Sequence, residues 1–294
     1  VDLTGFVVTR FGAELIVMTE TGESHRCGSK RRLDYVVCGD VVHWHHTPGG
    51  DCVVTAVRER TNELARTDKR GRQRVVAANV EQLLVVTANT PGPDWKLVDR
   101  YIASAENLHA SCAVIYNKID LGPADAETDR KLSLYADLAY PVIRCSARDR
   151  LRTGELGDLV AGRTSIFVGQ SGSGKSSLIK SLHPHLDIRI GTLGKSGRHG
   201  RHTTSRSVMF HSAAGGRLID SPGVRSFDPP LRTREQVERG FREITPCIGH
   251  CRFHNCTHTV EPGCAVLRAA AEGRIQADRL ASYQECLTTL REPG

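Results

Sequence analysis

No apolar run in this chain of 294 residues approaches the roughly 18 residues of a membrane span. The opening stretch, Val1 to Arg10, lacks the basic and apolar pattern of a secretory leader, and no internal repeat or low-complexity tract follows it. A soluble, cytoplasmic protein without a membrane partner is therefore expected. The spacing of a disulfide framework is missing too: of ten cysteines several gather between Cys247 and Cys264 among histidines, and the rest are scattered. Clustering of that kind argues for metal and reduced thiols. Position 1 is Val rather than Met, so natural residues are expected to precede it. Acidic residues are outnumbered, 33 against 40 Lys and Arg, giving a formal charge of +7. That excess favours a polyanionic partner such as nucleic acid, although solubility alone also accounts for it.

A chain of this length suggests two or three domains. From Val1 to Glu59, short apolar-rich strands at 5–9, 14–19, 24–28, 40–46 and 52–58 alternate with Thr-Gly, Gly-Asp and Pro-Gly-Gly turn signals. Such a series fits a small closed barrel, of which the oligonucleotide-binding (OB) fold is the five-stranded example and SH3-like barrels a close alternative. We place it at 1–62. Lys30, Arg31 and Arg32 form a basic cluster suited either to phosphates or to plain solvation. Trp44 is able to stack a base, but it alternates with Val42 as a core residue does. The polar, basic stretch that follows reads as a linker, 63–82. Residues 83–228 alternate strands (83–87, 112–116, 142–145) with helices (97–108, 126–138), and further strands follow at 207–211 and 217–219. The pattern predicts an α/β domain with a mostly parallel sheet and helices on both faces. Beyond Asp228 strand signals stop. Helices at 234–244, 265–272 and 277–290 surround a Cys/His-rich loop, giving a small helical domain at 229–294.

Gly169-Gln170-Ser171-Gly172-Ser173-Gly174-Lys175-Ser176-Ser177 matches the GxxxxGKS phosphate loop and sits between an apolar run, 165–168, and an apolar-periodic segment through Leu178, Ile179 and Leu182. Backbone N–H groups of such a loop cradle phosphates; Lys175 would reach the β- and γ-phosphates and Ser176 would coordinate magnesium. Asn117-Lys118-Ile119-Asp120 follows a predicted strand. The Asp120 carboxylate can accept from guanine N1 and its exocyclic amine, a donor pair adenine lacks; Asn117 would tie neighbouring loops and the Lys118 stem would cover the base. Ser146-Ala147, past the next strand, would present backbone N–H to guanine O6. Asp220-Ser221-Pro222-Gly223 is a DxxG element, with Asp220 holding magnesium through water and the Gly223 N–H sensing the γ-phosphate. Thr203 and Thr204 lie in a long Gly-rich basic segment, 191–206, which reads as a switch. Thr203 is the first choice to close over magnesium and Thr204 the reserve. GTP and magnesium are the expected ligands. Because the guanine motif at 117 precedes the phosphate loop at 169–177, the domain is expected to be a circular permutation.

Cys251, Cys256, His258 and Cys264, spaced CxxxxCxHxxxxxC, offer three thiolates and one imidazole, a closed set suited to one structural zinc ion. Cys247, His250 and His254 compete for that role.

On the permuted order, GQSGSGKSS, DSPGVRSF, the Arg201-His202-Thr203-Thr204 loop, the barrel and the Cys/His tail, the chain resembles the RsgA family of small ribosomal subunit biogenesis GTPases over essentially its whole length. The resemblance implies a circularly permuted P-loop GTPase domain between an N-terminal OB-like β-barrel and a C-terminal helical zinc-binding domain, and the zinc spacing matches the family pattern. It further implies GTP hydrolysis stimulated by the small ribosomal subunit in late maturation, with the barrel and zinc domain on ribosomal RNA. A monomer is expected. Many GTPases place a water-orienting Gln just after the DxxG glycine; Val224 stands there, and an aliphatic side chain cannot orient water. Slow intrinsic hydrolysis follows. His202, similar to a His in the family's loop, is the expected positioning group and joins Lys175 and Thr203 as catalytic residues, with His199 or a ribosomal group as rivals. Since Asp220 lies just upstream of the third domain, nucleotide state is expected to reorient that domain. Two other classes share parts of the pattern: an RNA-binding assembly factor with GTP as a structural ligand, and a phosphate-loop kinase, which the NKID and DSPG elements disfavour.

Overall fold

The computed structural model describes residues 2–29, 33, 35–67, 70, 72–183, 207–212, 215–221, 229 and 231–290. Strands β1 (Leu3–Phe11), β2 (Glu14–Met18), β3 (Ser24–Ser29), β4 (Val41–His46) and β5 (Cys52–Val57) close into a barrel of order β1-β2-β3-β5-β4. β1 runs antiparallel to β2 and β4, while β3 pairs with β5 in parallel. Alternate residues of each strand fill the interior, among them Val7, Leu15, Val17, Val42, Trp44 and Val54. Trp44 is thus core, at 1% exposure. Val8, Ile16 and Met18 point outward and join the core that holds Val208 and Met209, and the Arg217 guanidinium lies 4.1 Å over the Phe6 ring. The barrel is therefore seated on the neighbouring sheet.

Residues 63–82 differ from the expected linker. They carry β6 (Glu63–Thr67) and β7 (Gln73–Ala78), an antiparallel hairpin. Leu64, Ala77, Ala78 and Val80 are buried, whereas Arg70, Arg72 and Arg74 are exposed. A few apolar residues were enough to fix the backbone, and the basic composition reported only the wet side. Arg60 joins hairpin to barrel through Asp40, donating at 2.7 and 2.8 Å to a carboxylate with no exposure.

The central sheet runs β10-β9-β8-β11-β13-β12, built from β8 (Gln82–Ala88), β9 (Ser111–Asn117), β10 (Val142–Arg144), β11 (Thr164–Gly169), β12 (Val208–His211) and β13 (Arg217–Asp220). Its pairings are parallel except that of β12 with β13. Every residue of β8 is buried, as a strand covered on both faces requires. Helices α1 (Trp95–Leu108) and α2 (Ala126–Asp137) pack with Leu83 and Val85 on one face. Helices α3 (Thr153–Val160) and α4 (Lys175–Leu182) pack with Leu84 and Val86 on the other. α3 gave no clear sequence signal: it buries only Leu156 and Val160 and carries two glycines, poor helix formers.

The C-terminal domain holds α5 (Arg234–Arg239), α6 (Ala265–Ala271) and α7 (Ala277–Thr288). The helix expected to reach residue 244 stops at Arg239. Val237, Phe241 and Ile244 keep a helix-like spacing and are all buried, but Gly240 presses on α1, where a Cβ would stand 2.5 Å from that of Ala103. Between α1 and α7, buried Asp99 accepts from Arg279 Nη1 at 2.6 Å, Ser282 Oγ at 2.5 Å and Tyr135 Oη at 2.8 Å. Arg279 also donates to Glu243 at 2.5 and 3.2 Å. Among the described residues no helix is long and apolar enough to cross a membrane.

Candidate nucleotide site and metal centre

Strands β8, β9, β10, β11 and β13 are mutually parallel, so the loops leaving their carboxyl ends open on one edge of the sheet. That edge gathers Thr90 after β8, Asn117 to Asp120 after β9, Ser146 and Ala147 after β10, the loop 169–174 after β11, and Asp220 at the end of β13. Chain order is irrelevant to this assembly; strand position does the work.

The loop between β11 and α4 turns tightly. Gly169 (φ +128°) passes so near β8 that a Cβ would lie 2.2 Å from Val86 O, and at Gly174 (φ +96°) one would lie 2.2 Å from Asn117 Nδ2. Only glycine fits both the dihedral and the space. Lys175, 4% exposed, opens α4 and donates through Nζ to the carbonyls of Gly169 at 2.8 Å and Gln170 at 2.6 Å. Its ammonium is thereby held against the loop. A cleft of about 350 Å³ lies over the loop, walled by Ser171, Gly172, Lys175, Ser176, Ser177 and, from the opposite side, Lys118.

Asn117, 1% exposed, connects three of the motifs. Its Nδ2 donates to Ser173 O in the loop at 2.9 Å, and its Oδ1 accepts from Ala147 N at 3.1 Å. Ser146 Oγ, fully buried, donates to Asp120 Oδ1 at 2.6 Å and accepts from Asp149 N at 3.1 Å. Lys118 adopts a left-handed conformation (φ +66°), which sends its side chain back toward the loop, where Nζ donates to Thr90 O at 2.5 Å. Ile119 then begins a short 3₁₀ turn, Ile119–Leu121. Thr90 and Pro91 were not singled out from the sequence. Pro91 lies against Gly172, its Cδ 3.2 Å from where a Cβ would stand. The available signal was Asn89-Thr90-Pro91-Gly92-Pro93 directly after an apolar strand, a loop at a carboxyl edge.

Asp220 closes β13 opposite Val208 of β12. Next to it Ser221 is buried, and Ser207 Oγ lies within bonding distance of Ser221 Oγ, 2.7 Å, and Val76 O, 2.9 Å. The end of this strand is thus coupled to β7. Gly223, Val224, His199, His202, Thr203, Thr204 and the cluster Lys30, Arg31 and Arg32 lie outside the described residues.

In the C-terminal domain the ligand atoms of Cys251, Cys256, His258 and Cys264 all fall within 4.8 Å of one another. Cys251 Sγ is 3.5 Å from His258 Nδ1 and 3.9 Å from Cys264 Sγ, and His258 Nδ1 is 3.4 Å from Cys264 Sγ. A tetrahedral zinc ion with Zn–S near 2.3 Å and Zn–N near 2.05 Å has edges of about 3.5–3.8 Å, so the donor set fits that ion. Buried His258 is pushed below the usual imidazole value by desolvation and by Arg234, which favours the neutral, ligating form. Burial raises the Cys251 thiol, but N–H donation from Ala265 and the neighbouring thiols outweighs it, leaving Cys251 below its usual value. Cys256 is pushed up to about 12, chiefly by burial. His258 Nε2 faces the Glu238 carboxylate at 3.8 Å, and Gln284 donates to His258 O at 2.7 Å. Cys247 is buried outside this group, and His250 and His254 are exposed.

The RsgA GTPase family profile matches residues 57–230. The chain belongs to the RsgA GTPase family. An Azotobacter vinelandii protein named small ribosomal subunit biogenesis GTPase RsgA is 43% identical, over 99% of this chain and 87% of its own length. The crystal structure of YjeQ from Thermotoga maritima superposes with a TM-score of 0.80 at 26% identity, covering 99% of this chain and 100% of that one. YloQ, described as a circularly permuted GTPase, matches at 0.76 and 24% identity, over 100% of this chain and 97% of its own, a likeness of fold. This RsgA-family chain is a GTP hydrolase on a circularly permuted P-loop fold, with an N-terminal five-stranded barrel and a C-terminal Cys₃His group able to hold zinc.

Proposed function

We propose that this RsgA-family enzyme hydrolyses GTP to GDP and phosphate in the cytoplasm during late maturation of the small ribosomal subunit, that the subunit stimulates turnover, and that the barrel and metal domain contact ribosomal RNA. The observation carrying the nucleotide site is Asn117, which hydrogen-bonds the phosphate loop at Ser173 and the Ser146-Ala147 turn at once. One side chain thus spaces phosphates from base. In this reading Lys118 covers the base, Asp120 accepts its N1 and amine protons, Ala147 N serves O6, and the 169–177 loop with Lys175 receives the phosphates. Ser176 on the first turn of α4 and Asp220 at the end of β13 supply hard oxygen donors of the kind magnesium takes, and that ion would neutralise charge on the β- and γ-phosphates. Thr203 closes over them, and Gly223 senses the γ-phosphate. The Cys₃His group, loaded with zinc, would staple the C-terminal domain. The assembly role rests on the name of the 43%-identical relative, and RNA contact on the net positive charge and the barrel.

GTP turnover with and without purified small subunits tests this reading, and strong stimulation is expected. Turnover absent in both arms would leave GTP a structural ligand. His202→Ala is expected to lose most of the stimulated rate, because Val224 offers no polar group to the attacking water; an unchanged rate would hand that task to the ribosome.

Asp120→Asn is expected to move preference from guanine to xanthine nucleotides. The Ser146 hydroxyl donates to Asp120 Oδ1 at 2.6 Å, so an asparagine would keep its oxygen there and turn its amide toward the base. That amide repels the guanine amine and donates to the 2-oxo group of xanthine. Two lost charge-assisted bonds are worth roughly 3–5 kcal/mol, about a hundred- to several-thousandfold in GTP affinity. Competition binding of GDP against XDP reads the outcome, and retained guanine preference would remove Asp120 from the base site.

A further inference from the structure

The barrel interior is apolar along most of its length, as small barrels require, but one mouth is lined differently. His25 and Cys27 of β3, Trp44 and His46 of β4, and Cys52 and Val54 of β5 occupy alternating positions on the inward face. Register then brings the polar members together: His46 pairs directly with Cys52 across the β4–β5 hairpin, and Cys27 pairs with Cys52 across β3–β5. The ligand atoms of His25, His46 and Cys52 lie within 4.8 Å of one another. Cys52 Sγ is 3.4 Å from His46 Nδ1, close to the sulfur–nitrogen edge of about 3.5 Å in a tetrahedral zinc site. The Trp44 ring lies 4.5 Å from that of His25 and 5.3 Å from that of His46, which limits how far either imidazole can turn.

We propose that His25, His46 and Cys52 form a second metal site, at the mouth of the barrel, which takes a zinc(II) ion. Two imidazoles and a thiolate suit zinc and other thiophilic ions and reject magnesium and calcium. Cys52 gives up its thiol proton to solvent as the sulfur–metal bond forms, with no change of oxidation state. Three protein ligands leave a fourth position for water or an outside donor, and access is from solvent: His46 is exposed, His25 half-buried and Cys52 buried. The ion would cross-link three strands at the end of the barrel near the 47–51 turn. Aromatic packing explains the two histidines beside Trp44, and Cys52 also packs in the barrel core against Cys27; neither accounts for a thiol sulfur 3.4 Å from the His46 imidazole nitrogen.

The test is a metal count on the full chain, equilibrated with zinc and freed of unbound metal, read by plasma mass spectrometry. His46→Gln is expected to carry one ion fewer per chain than the wild type. Cys52→Ala, which leaves the interior apolar, should lose the same ion. With cobalt(II) in place of zinc, the wild-type spectrum minus that of His46→Gln should show a single-thiolate charge-transfer band, and zinc should raise the melting temperature of the wild type more than that of either variant. Retained GTP binding shows that the GTPase domain of a variant is folded, and a far-UV circular dichroism spectrum matching the wild type shows the same for its barrel. Equal metal counts in the wild type and a folded variant, or a cobalt difference spectrum without a thiolate band, would overturn the site.

Discussion

Lys175→Ala is expected to lower subunit-stimulated GTP turnover by at least about 100-fold, the loss typical when one preorganised donor to developing charge is removed. Lys175 is buried and its ammonium is already placed, bonded to Gly169 O at 2.8 Å and Gln170 O at 2.6 Å. Exchanging those carbonyls for phosphate oxygens requires little movement, so most of its ordering entropy is spent before GTP arrives. Charge on the β–γ bridge and the γ-phosphate changes as the bond breaks, which places more of the loss in kcat than in GDP affinity. Lys175→Arg should not rescue: a planar guanidinium is wider than an ammonium held between two carbonyls of the same turn. Single-turnover hydrolysis with small subunits present, set beside GDP binding, makes the comparison. Wild-type turnover in Lys175→Ala would sever the loop from phosphate chemistry.

Motifs whose parts lie close along the chain were legible without coordinates. The loop 169–177, the NKID turn and the CxxxxCxHxxxxxC spacing each occupy under twenty residues, and local spacing with residue type specifies what they can bind. The barrel and the parallel sheet were legible because period-two alternation and the β–α rhythm are local as well. Contacts made across the chain were not. The NKID motif implied that Asn117 ties neighbouring loops, but nothing near it in sequence says that its partner is Ser173, 56 positions away, or that Thr90 will receive Lys118. The 63–82 hairpin was hidden because four buried apolar residues are outvoted by the exposed arginines around them. The expected helix 234–244 overruns α5 because the Val237, Phe241 and Ile244 spacing stays helix-like past Gly240, a poor helix former that is the C-cap of α5. The least legible feature is the bond between Asp99 and Arg279, 180 positions apart, because a lone charged residue in an amphipathic helix reads as solvent-facing.

Arg279→Met is expected to destabilise the chain by about 3–5 kcal/mol, the loss found when one partner of a buried ion pair is removed. Asp99 and Arg279 have no exposure and the Glu243 side chain only 6%, so truncation strands two carboxylates out of water. The Arg279 guanidinium also packs 4.4 Å over the Phe241 ring, a contact a flexible Met can fill. The penalty is therefore electrostatic, and Asp99→Asn with Glu243→Gln in the same chain should recover much of it. Urea unfolding followed at the C-terminal domain measures both, and high salt should not mimic the substitution, because buried charges are poorly screened. This network also constrains how the proposed effect of GTP state would reach the C-terminal domain. The route through the segment after Asp220 suggests a domain that swings about its linker. Asp99 on α1 and Tyr135 on α2, however, share one buried cluster with Arg279 and Ser282 on α7. A swing must break that cluster at a cost of several kcal/mol, whereas moving α1, α2 and the C-terminal domain as one body keeps it intact. Hydrogen exchange discriminates these: under the one-body motion α7 amides stay protected in both GDP and GTP-analogue states, and in Arg279→Met they exchange faster whichever nucleotide is bound.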